Sequence, residues 1–507
     1  MKKTFLLSCL MLAAMPVMAA YTGHVYVDKN KNGVFDQSEK PLAGIKVSDG
    51  LNVVETAADG SFTLPGHERE RFIFITTPSG YKTFNRHYHK IEKKQSGYDF
   101  GLIPYSGRIR KNGSHRYIHI ADTEIFNTEN HADWVNNVRD YARNEQAAFI
   151  IHTGDICYEK GLKAHIKLMN TENMDCPVFY CIGNHDLVKG KYGEELFESI
   201  YGPVYYSFDA GNVHYVVTPM PGGDHAPGYT SDDVCRWLKN DLAHIRPGTP
   251  VVVFNHDLLT YEDTFIFKSK NAGSINLNEY NLKAWVYGHW HINYMKKQGD
   301  VYSVCTSSLD KGGIDHSTTA FRVMHVDSKG DFTSELRYTY LDKNICIASP
   351  AGVMASGVLP VAVNVYSSVS PVREVLYTCL ADGKPVLKNK RLLQSTDWSW
   401  NGELPLSHKY VGKELTLRVT ARFNNGEIAE AESHFICRTE KAVPLFSADW
   451  DNLSGNAKHS APVSAPLNLP LQLAWTNNVG ANLYMTSPLI HKGKVIVASV
   501  DEDLKGA

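Results

Sequence analysis

Two imidazoles one residue apart, His289 and His291 in Gly288-His-Trp-His291, follow the apolar run Ala284-Trp-Val-Tyr287. Alternate residues at a strand end or in an extended loop turn toward one point. Two imidazoles presented that way suit a transition metal. Four short motifs precede this one in order: Asp122-Thr-Glu124, Gly154-Asp155, Gly183-Asn184-His185-Asp186 and Val253-Phe-Asn-His256. Taken singly, an aspartate after a strand is most often a cap or turn residue, and a lone histidine is most often structural. The weight lies in the ordered set.

Each motif has an apolar run in front of it. Tyr117-Ile-His-Ile-Ala precedes Asp122, Ala148-Phe-Ile-Ile-His-Thr precedes Gly154, Val178-Phe-Tyr-Cys-Ile precedes Gly183, and Val251-Val-Val-Phe precedes Asn255. Runs of this length and β-propensity read as buried strands. Each delivers its polar residue at a C-terminal end, the edge where open α/β sheets build their sites. Helical patterns fall between them, at residues 131–141, 191–201 and 232–244.

The ordered set resembles the calcineurin-like metallophosphoesterase superfamily over roughly residues 115–330. The resemblance implies an α/β fold: a four-layer metallophosphoesterase β-sandwich flanked by helices, here with N- and C-terminal all-β accessory domains. It also implies two transition metals, among Fe, Mn and Zn, and hydrolysis of a small phosphorylated substrate. Two such ions clamp an in-line displacement at phosphorus and make hydroxide available near neutral pH. By motif, Asp155 bridges, Asp122 and His291 hold one ion, and Asn184, His256 and His289 hold the other. His185 acts as general acid, with Asp186 or another carboxylate orienting it. Position 124 departs from the common Asp-x-His pattern, so Glu124 is itself a candidate ligand. Gly154-Asp-Ile-Cys-Tyr158 resembles a variant of purple acid phosphatases, which makes Tyr158 a second candidate and slightly favours monoesters over diesters. Trp290 and His225, the latter in the Pro221–Tyr229 loop, are candidate substrate contacts.

The flanks divide the chain into segments. Residues 1–20 read as a secretory signal peptide: Lys2-Lys3, then an apolar stretch, then small residues at 17–20. Export to the periplasm, cell surface or medium follows, in a bacterial-type chain. Residues 21–105 read as a small β-sandwich from their period-2 runs and Gly/Asn/Asp turns. Within it, Asp28-Lys-Asn30-Lys-Asn32-Gly33-Val34-Phe-Asp36-Gln-Ser-Glu39 fits the twelve-residue calcium loop, with Gly33 at the sharp turn. The competing reading is a plain hairpin, because Asn32-Gly33 is a hairpin signal by itself. Residues 106–335 carry the phosphoesterase motifs and 340–440 read as a second β-sandwich. Residues 441–507 resemble the start of a quinoprotein-like β-propeller, apparently incomplete, since closure needs several blades.

A net charge of −2 gives no reason to expect nucleic acid as a partner. Outside the leader no stretch is long and apolar enough to span a bilayer. Export permits disulfides among the cysteines, but their pairing is not legible in sequence. The competing functional class is a cell-surface or glycan-binding module whose phosphoesterase core has lost activity, a reading supported only by Glu124.

Overall fold

The computed structural model describes residues 20–439 apart from 94, 96 and 342, together with 449–450, 452–455, 457–458 and 487–498. Residues 1–19, where a signal peptide is expected, and most of 441–507, where the start of a propeller is expected, lie outside the described residues.

Two sheets face each other in the central region. The first runs Val178–Tyr180, Phe149–His152, His115–Ile120, Ala320–Val326, Phe332–Tyr338. The second runs Tyr206–Ala210, Val213–Val217, Val251–Phe254, Leu282–Tyr287, Val301–Cys305, Tyr294–Gln298. The strands that precede the motifs are parallel and nearly level: Ile120 pairs with His152 and His152 with Tyr180, while Phe254 pairs with Val286. Parallel, level strands end on one edge, so the loops after them meet.

Aromatic rings fill the space between the sheets. Phe179 stacks on Phe208 with centroids 3.8 Å apart, Phe149 meets Phe208 edge-on at 4.9 Å, and Tyr117 meets Phe254 at 5.8 Å. Helices Ala132–Asn144 and Tyr158–Leu168 cover the outer face of the first sheet. Trp134, Val138, Tyr141 and Ala164 share a core there with Ile118, Ile150 and Val323. Helix Ser231–Ala243 covers the second, burying Trp237 and Leu238. Helix, sheet, sheet, helix is the four-layer arrangement expected from sequence. Helix Tyr158–Leu168 was not among the helices read from the pattern. Its buried face is Gly161, Leu162, Ala164 and His165, which is too small and polar to give a clear 3.6-residue signal.

The flanking regions are all-β. Residues 21–104 form two small sheets. Val53, Phe72, Phe74 and Tyr88 from them pack into the same core as the central strands. Arg71 Nη2 lies 2.7 Å from Glu194 and 3.2 Å from Glu198 across this contact. Residues 344–438 form a four-stranded and a five-stranded sheet around a separate apolar core. The eight cysteines among the described residues are all free thiols, and seven of them are buried.

Candidate metal centre

The backbone bends sharply where the strands end. Asp122, Glu124, Asp155, Cys157, Tyr158, His289 and His291 all have positive φ, between 45° and 71°. Non-glycine residues adopt this region at a cost, and such residues cluster where a site over-determines them. Close approach does the rest. Gly154 has φ of 93°, and a Cβ added there would sit 2.6 Å from His256 Nδ1. A Cβ at Gly183 would lie 2.2 Å from Asp155 Oδ1. These motif glycines let the loops pack against each other's ligand-type side chains.

The donor atoms converge. His256 Nε2 is 3.1 Å from Asp155 Oδ2 and 4.0 Å from Asp122 Oδ1. Ligand-type atoms of Asp155, His256 and His289 all lie within 4.8 Å of one another. On the other side, His291 Nε2 is 3.5 Å from Asp122 Oδ1 and 3.5 Å from Glu124 Oε1. His256 Nδ1 is 2.6 Å from the Thr153 carbonyl, so Nδ1 carries the proton and Nε2 faces the carboxylates. Asp155 Oδ1 accepts the His185 backbone N–H at 3.0 Å, and both Asp122 oxygens accept the His289 N–H at 3.1 Å. Burial would lower the His256 pKa, but the nearby carboxylate charges of Asp155 and Asp122 hold it up at about 9.

His185 and Asp186 are adjacent in sequence but serve different ends. Asp186 is fully buried and accepts backbone N–H groups from Asp155 at 3.0 Å, Cys157 at 2.8 Å and Gly183 at 2.9 Å. It ties the second and third motifs together. The carboxylate on the His185 ring is instead Asp224, whose Oδ2 is 2.9 Å from Nδ1. Of the carboxylates expected to face this ring, Asp186 or another, the one on it is Asp224 of the 221–229 loop. Burial would lower the His185 pKa, but the Asp224 hydrogen bond and the charges of Asp155, Asp224 and Glu124 raise it. Burial and the Asp155 charge push Asp186 up to about 7, against its backbone hydrogen bonds.

The other candidates sort by position. Glu124 lies at the centre, beside His291, and its Oε2 pairs with Lys311 Nζ at 2.7 Å. Tyr158 lies on the rim, 45% exposed, with its ring 5.4 Å from that of His185 and stacked on Phe126 at 6.5 Å. That placement favours Glu124 over Tyr158 as the extra donor. Trp290 stacks on the exposed Tyr261 at 5.9 Å and donates Nε1–H to Asp257 at 3.2 Å. His225 is exposed, next to Asp224. Tyr229, the other end of that loop, is buried with its hydroxyl on the Met220 carbonyl, so it does not reach the cleft.

Sequence reasoning missed Asp224, Lys311 and Cys157. The Cys157 thiol lies within 4.8 Å of carboxylate oxygens of Glu124 and Asp155, and burial with those charges pushes its pKa far up. It also missed a layer of buried imidazoles. His119 Nε2 is 2.8 Å from Thr153 Oγ1, and Thr123 Oγ1 lies 3.0 Å from His152 and 3.3 Å from His165. Burial drives all three imidazoles neutral. They brace Thr123 and Thr153, the neighbours of Asp122, Glu124 and Asp155.

Residues 29–104 match the N-terminal region of calcineurin-like phosphoesterase, and residues 115–293 match calcineurin-like phosphoesterase itself. The chain belongs to the calcineurin-like phosphoesterases. A curated relative, purple acid phosphatase 13 of Arabidopsis thaliana, is 26% identical over 215 residues, covering 40% of this chain. The match spans only 36% of that relative's length. Among solved structures, a conserved uncharacterized protein from Streptococcus pneumoniae TIGR4, described as a predicted phosphoesterase, is 12% identical. It covers 45% of this chain and 98% of its own, at a TM-score of 0.22.

A calcineurin-like phosphoesterase implies a dimetal centre, and the residues here fit one. Asn184 Oδ1 and His256 Nε2 are buried with no hydrogen-bond partner. Nε2 stands within reach of Asp155, yet the alignment is not that of a hydrogen bond. Orphaned buried acceptors cost about 1–3 kcal/mol each unless satisfied. An orphaned imidazole nitrogen grouped with the Asp155 carboxylate and the His289 ring fits a transition-metal ligand set.

Proposed function

We propose that this chain hydrolyses small phosphate esters, monoesters in preference to diesters, using two transition metals drawn from Fe, Mn and Zn. The observation that carries the reading is the convergence of Asp155, His256 and His289, whose ligand-type atoms lie within 4.8 Å of one another, with His256 Nε2 left without a hydrogen-bond partner. Asp122, Glu124, Asp155 and His291 would hold one ion, and Asp155, Asn184, His256 and His289 the other. When bound, the pair supplies Lewis acidity toward phosphoryl oxygens and a hydroxide nucleophile near neutral pH.

The chain's own residues supply the proton and the positioning. Asp224 holds His185 through Nδ1, which leaves Nε2 as the nitrogen that gives a proton to the departing alkoxide. Asp186 fixes the Asp155 and Gly183 loops so that the donors keep their spacing. The Trp290 and Tyr261 rings offer a face to a flat leaving group. The monoester preference leans on the relative named as a purple acid phosphatase. Export leans on the basic-apolar-small pattern of residues 1–20.

The test compares p-nitrophenyl phosphate with bis(p-nitrophenyl) phosphate on metal-loaded protein. A higher kcat/KM on the monoester supports the reading. The reverse order moves the assignment to diesters, and turnover of neither, with Mn, Fe and Zn each supplied, overturns it.

A further inference from the structure

A second cation-ready site lies far from the dimetal cluster in sequence and in chemistry. Residues 28–39 connect strand Tyr21–Val27 to Lys40–Pro41, which pair antiparallel with Val27 opposite Lys40. Two residues would suffice to join them; twelve are used. The chain folds back on its own polar groups. Asp28 Oδ1 accepts the Asn32 N–H at 3.2 Å and Oδ2 the Gly33 N–H at 2.9 Å. Glu39 accepts N–H groups from Lys29 at 2.8 Å and Asp36 at 3.2 Å. Gly33, at the sixth position, has φ of 72°.

Charge and burial together point to a ligand. Asp28 is 1% exposed and Glu39 is 7% exposed. Among the described residues no lysine, arginine or histidine pairs with Asp28, Asp36 or Glu39, although Lys29 and Lys31 are in the loop and exposed. Buried carboxylates without a cation are costly. The Tyr26 hydroxyl is fully buried, has no hydrogen-bond partner, and faces the same loop. It and Asp28 Oδ2 lie 3.2 Å and 3.0 Å from one point, the place a Cβ on Gly101 would occupy. An unpartnered hydroxyl beside two buried carboxylates is satisfied by a bound cation or by water held on one.

We propose that residues 28–39 bind one Ca²⁺ through Asp28, Asn30, Asn32, the Val34 carbonyl, Asp36 and Glu39, and that the ion pins this hairpin. The donors are all oxygens, which select a hard cation over the nitrogen-loving metals of the central cluster. Their number, with Glu39 able to bind through both oxygens, suits Ca²⁺ rather than Mg²⁺, which demands a tight octahedron and keeps its waters. The role is structural. The Phe35 ring rests 4.8 Å from Tyr26 and 5.1 Å from His24, so ordering the loop seats Phe35 on the strand.

The experiment uses the whole chain with Zn²⁺ filling the central cluster, so that Ca²⁺ is not taken up there. Tb³⁺ emission excited through tyrosine and calorimetric titration with CaCl₂ read the site. The expected result is one Ca²⁺ per chain, Kd between about 10⁻⁷ and 10⁻³ M, with Tb³⁺ displaced by Ca²⁺ and the melting temperature raised. Glu39→Gln should weaken binding by about 100-fold, the span that ligand charge and rigidity produce among such loops. Asn30→Ala alters an exposed side chain, keeps the domain folded, and should weaken Ca²⁺ by about 10-fold with phosphoesterase turnover unchanged. No saturable uptake up to about 10 mM, an order beyond the weakest such modules, overturns the proposal. So does uptake undiminished in both variants.

Discussion

The two cation-ready regions differ in how they are built. The central cluster draws donors from five strand ends between Asp122 and His291, mixes imidazole with carboxylate and amide oxygen, and bends seven non-glycine residues into positive φ. The 28–39 loop draws its donors from twelve consecutive residues, all oxygen, with Lys31 its one non-glycine residue at positive φ. The first exists only when two sheets have packed. The second is a local fold of one hairpin. Donor softness sorts the cations between them, and mode of assembly decides what each loss costs. Damage to a strand end should empty the cluster and leave the loop intact, whereas damage to the loop should leave catalysis untouched.

The largest expected effect comes from crowding the cluster. Gly183→Ala places a methyl 2.2 Å from Asp155 Oδ1 and 2.3 Å from its backbone N. Metal content and turnover should both fall, by more than the roughly 10–100-fold typical of a residue behind the ligands. Uptake of Ca²⁺ at 28–39 should survive, and loss of both together would show that the two regions are not independent. Next comes His185→Ala. Turnover should drop about 10²–10⁴-fold with metal content unchanged; an unchanged rate removes this residue from the reaction. Asp224→Asn should act through the same imidazole and cost about 10-fold, below the range for losing the acid itself. The loss should be greater for alkyl phosphates, whose leaving groups need the proton, than for p-nitrophenyl phosphate. Equal losses on both would make Asp224 a loop residue only.

The smallest effect lies outside both regions. His214 is buried with Nδ1 2.7 Å from Asp209 and Nε2 2.8 Å from Asp241. Burial would lower its pKa, but the charges and hydrogen bonds of Asp241 and Asp209 hold it at about 9. A folded-state pKa above the unfolded value of about 6.5 gives stability that is complete below that value. It is lost as pH rises through about 9. Melting temperatures between pH 6 and 10 should fall across that window in the native chain and run flatter in His214→Gln. Identical slopes would contradict the pairing.

Sequence exposed the strand-end grammar well because each ligand-type residue sits directly after a run of β-branched and aromatic residues. Asp122, Asp155, His256, His289 and His291 could be read from such positions, and the structure brings them together. Asp224 could not, since it lies in a polar loop of ordinary turn composition and reaches His185 across 39 residues. Which carboxylate faces His185 was not legible either, because neighbours in sequence need not point the same way; the Asp186 carboxylate turns inward to three backbone N–H groups. Helix Tyr158–Leu168 hid behind a small, polar buried face. The docking of the N-terminal sheets was also invisible. Val53, Phe72 and Phe74 look like core residues of their own domain, and nothing local to them signals that they join the central core.

The central claim is that the strand-end cluster is a working dimetal site. The most direct measurement is transition-metal content and p-nitrophenyl phosphate turnover on the same samples of native chain and Asp155→Ala, prepared without chelator. The account predicts about two ions per native chain with turnover, and loss of both in the variant. A native chain that takes up no Fe, Mn or Zn and turns over no ester, or an Asp155→Ala chain that keeps its metals, would contradict it.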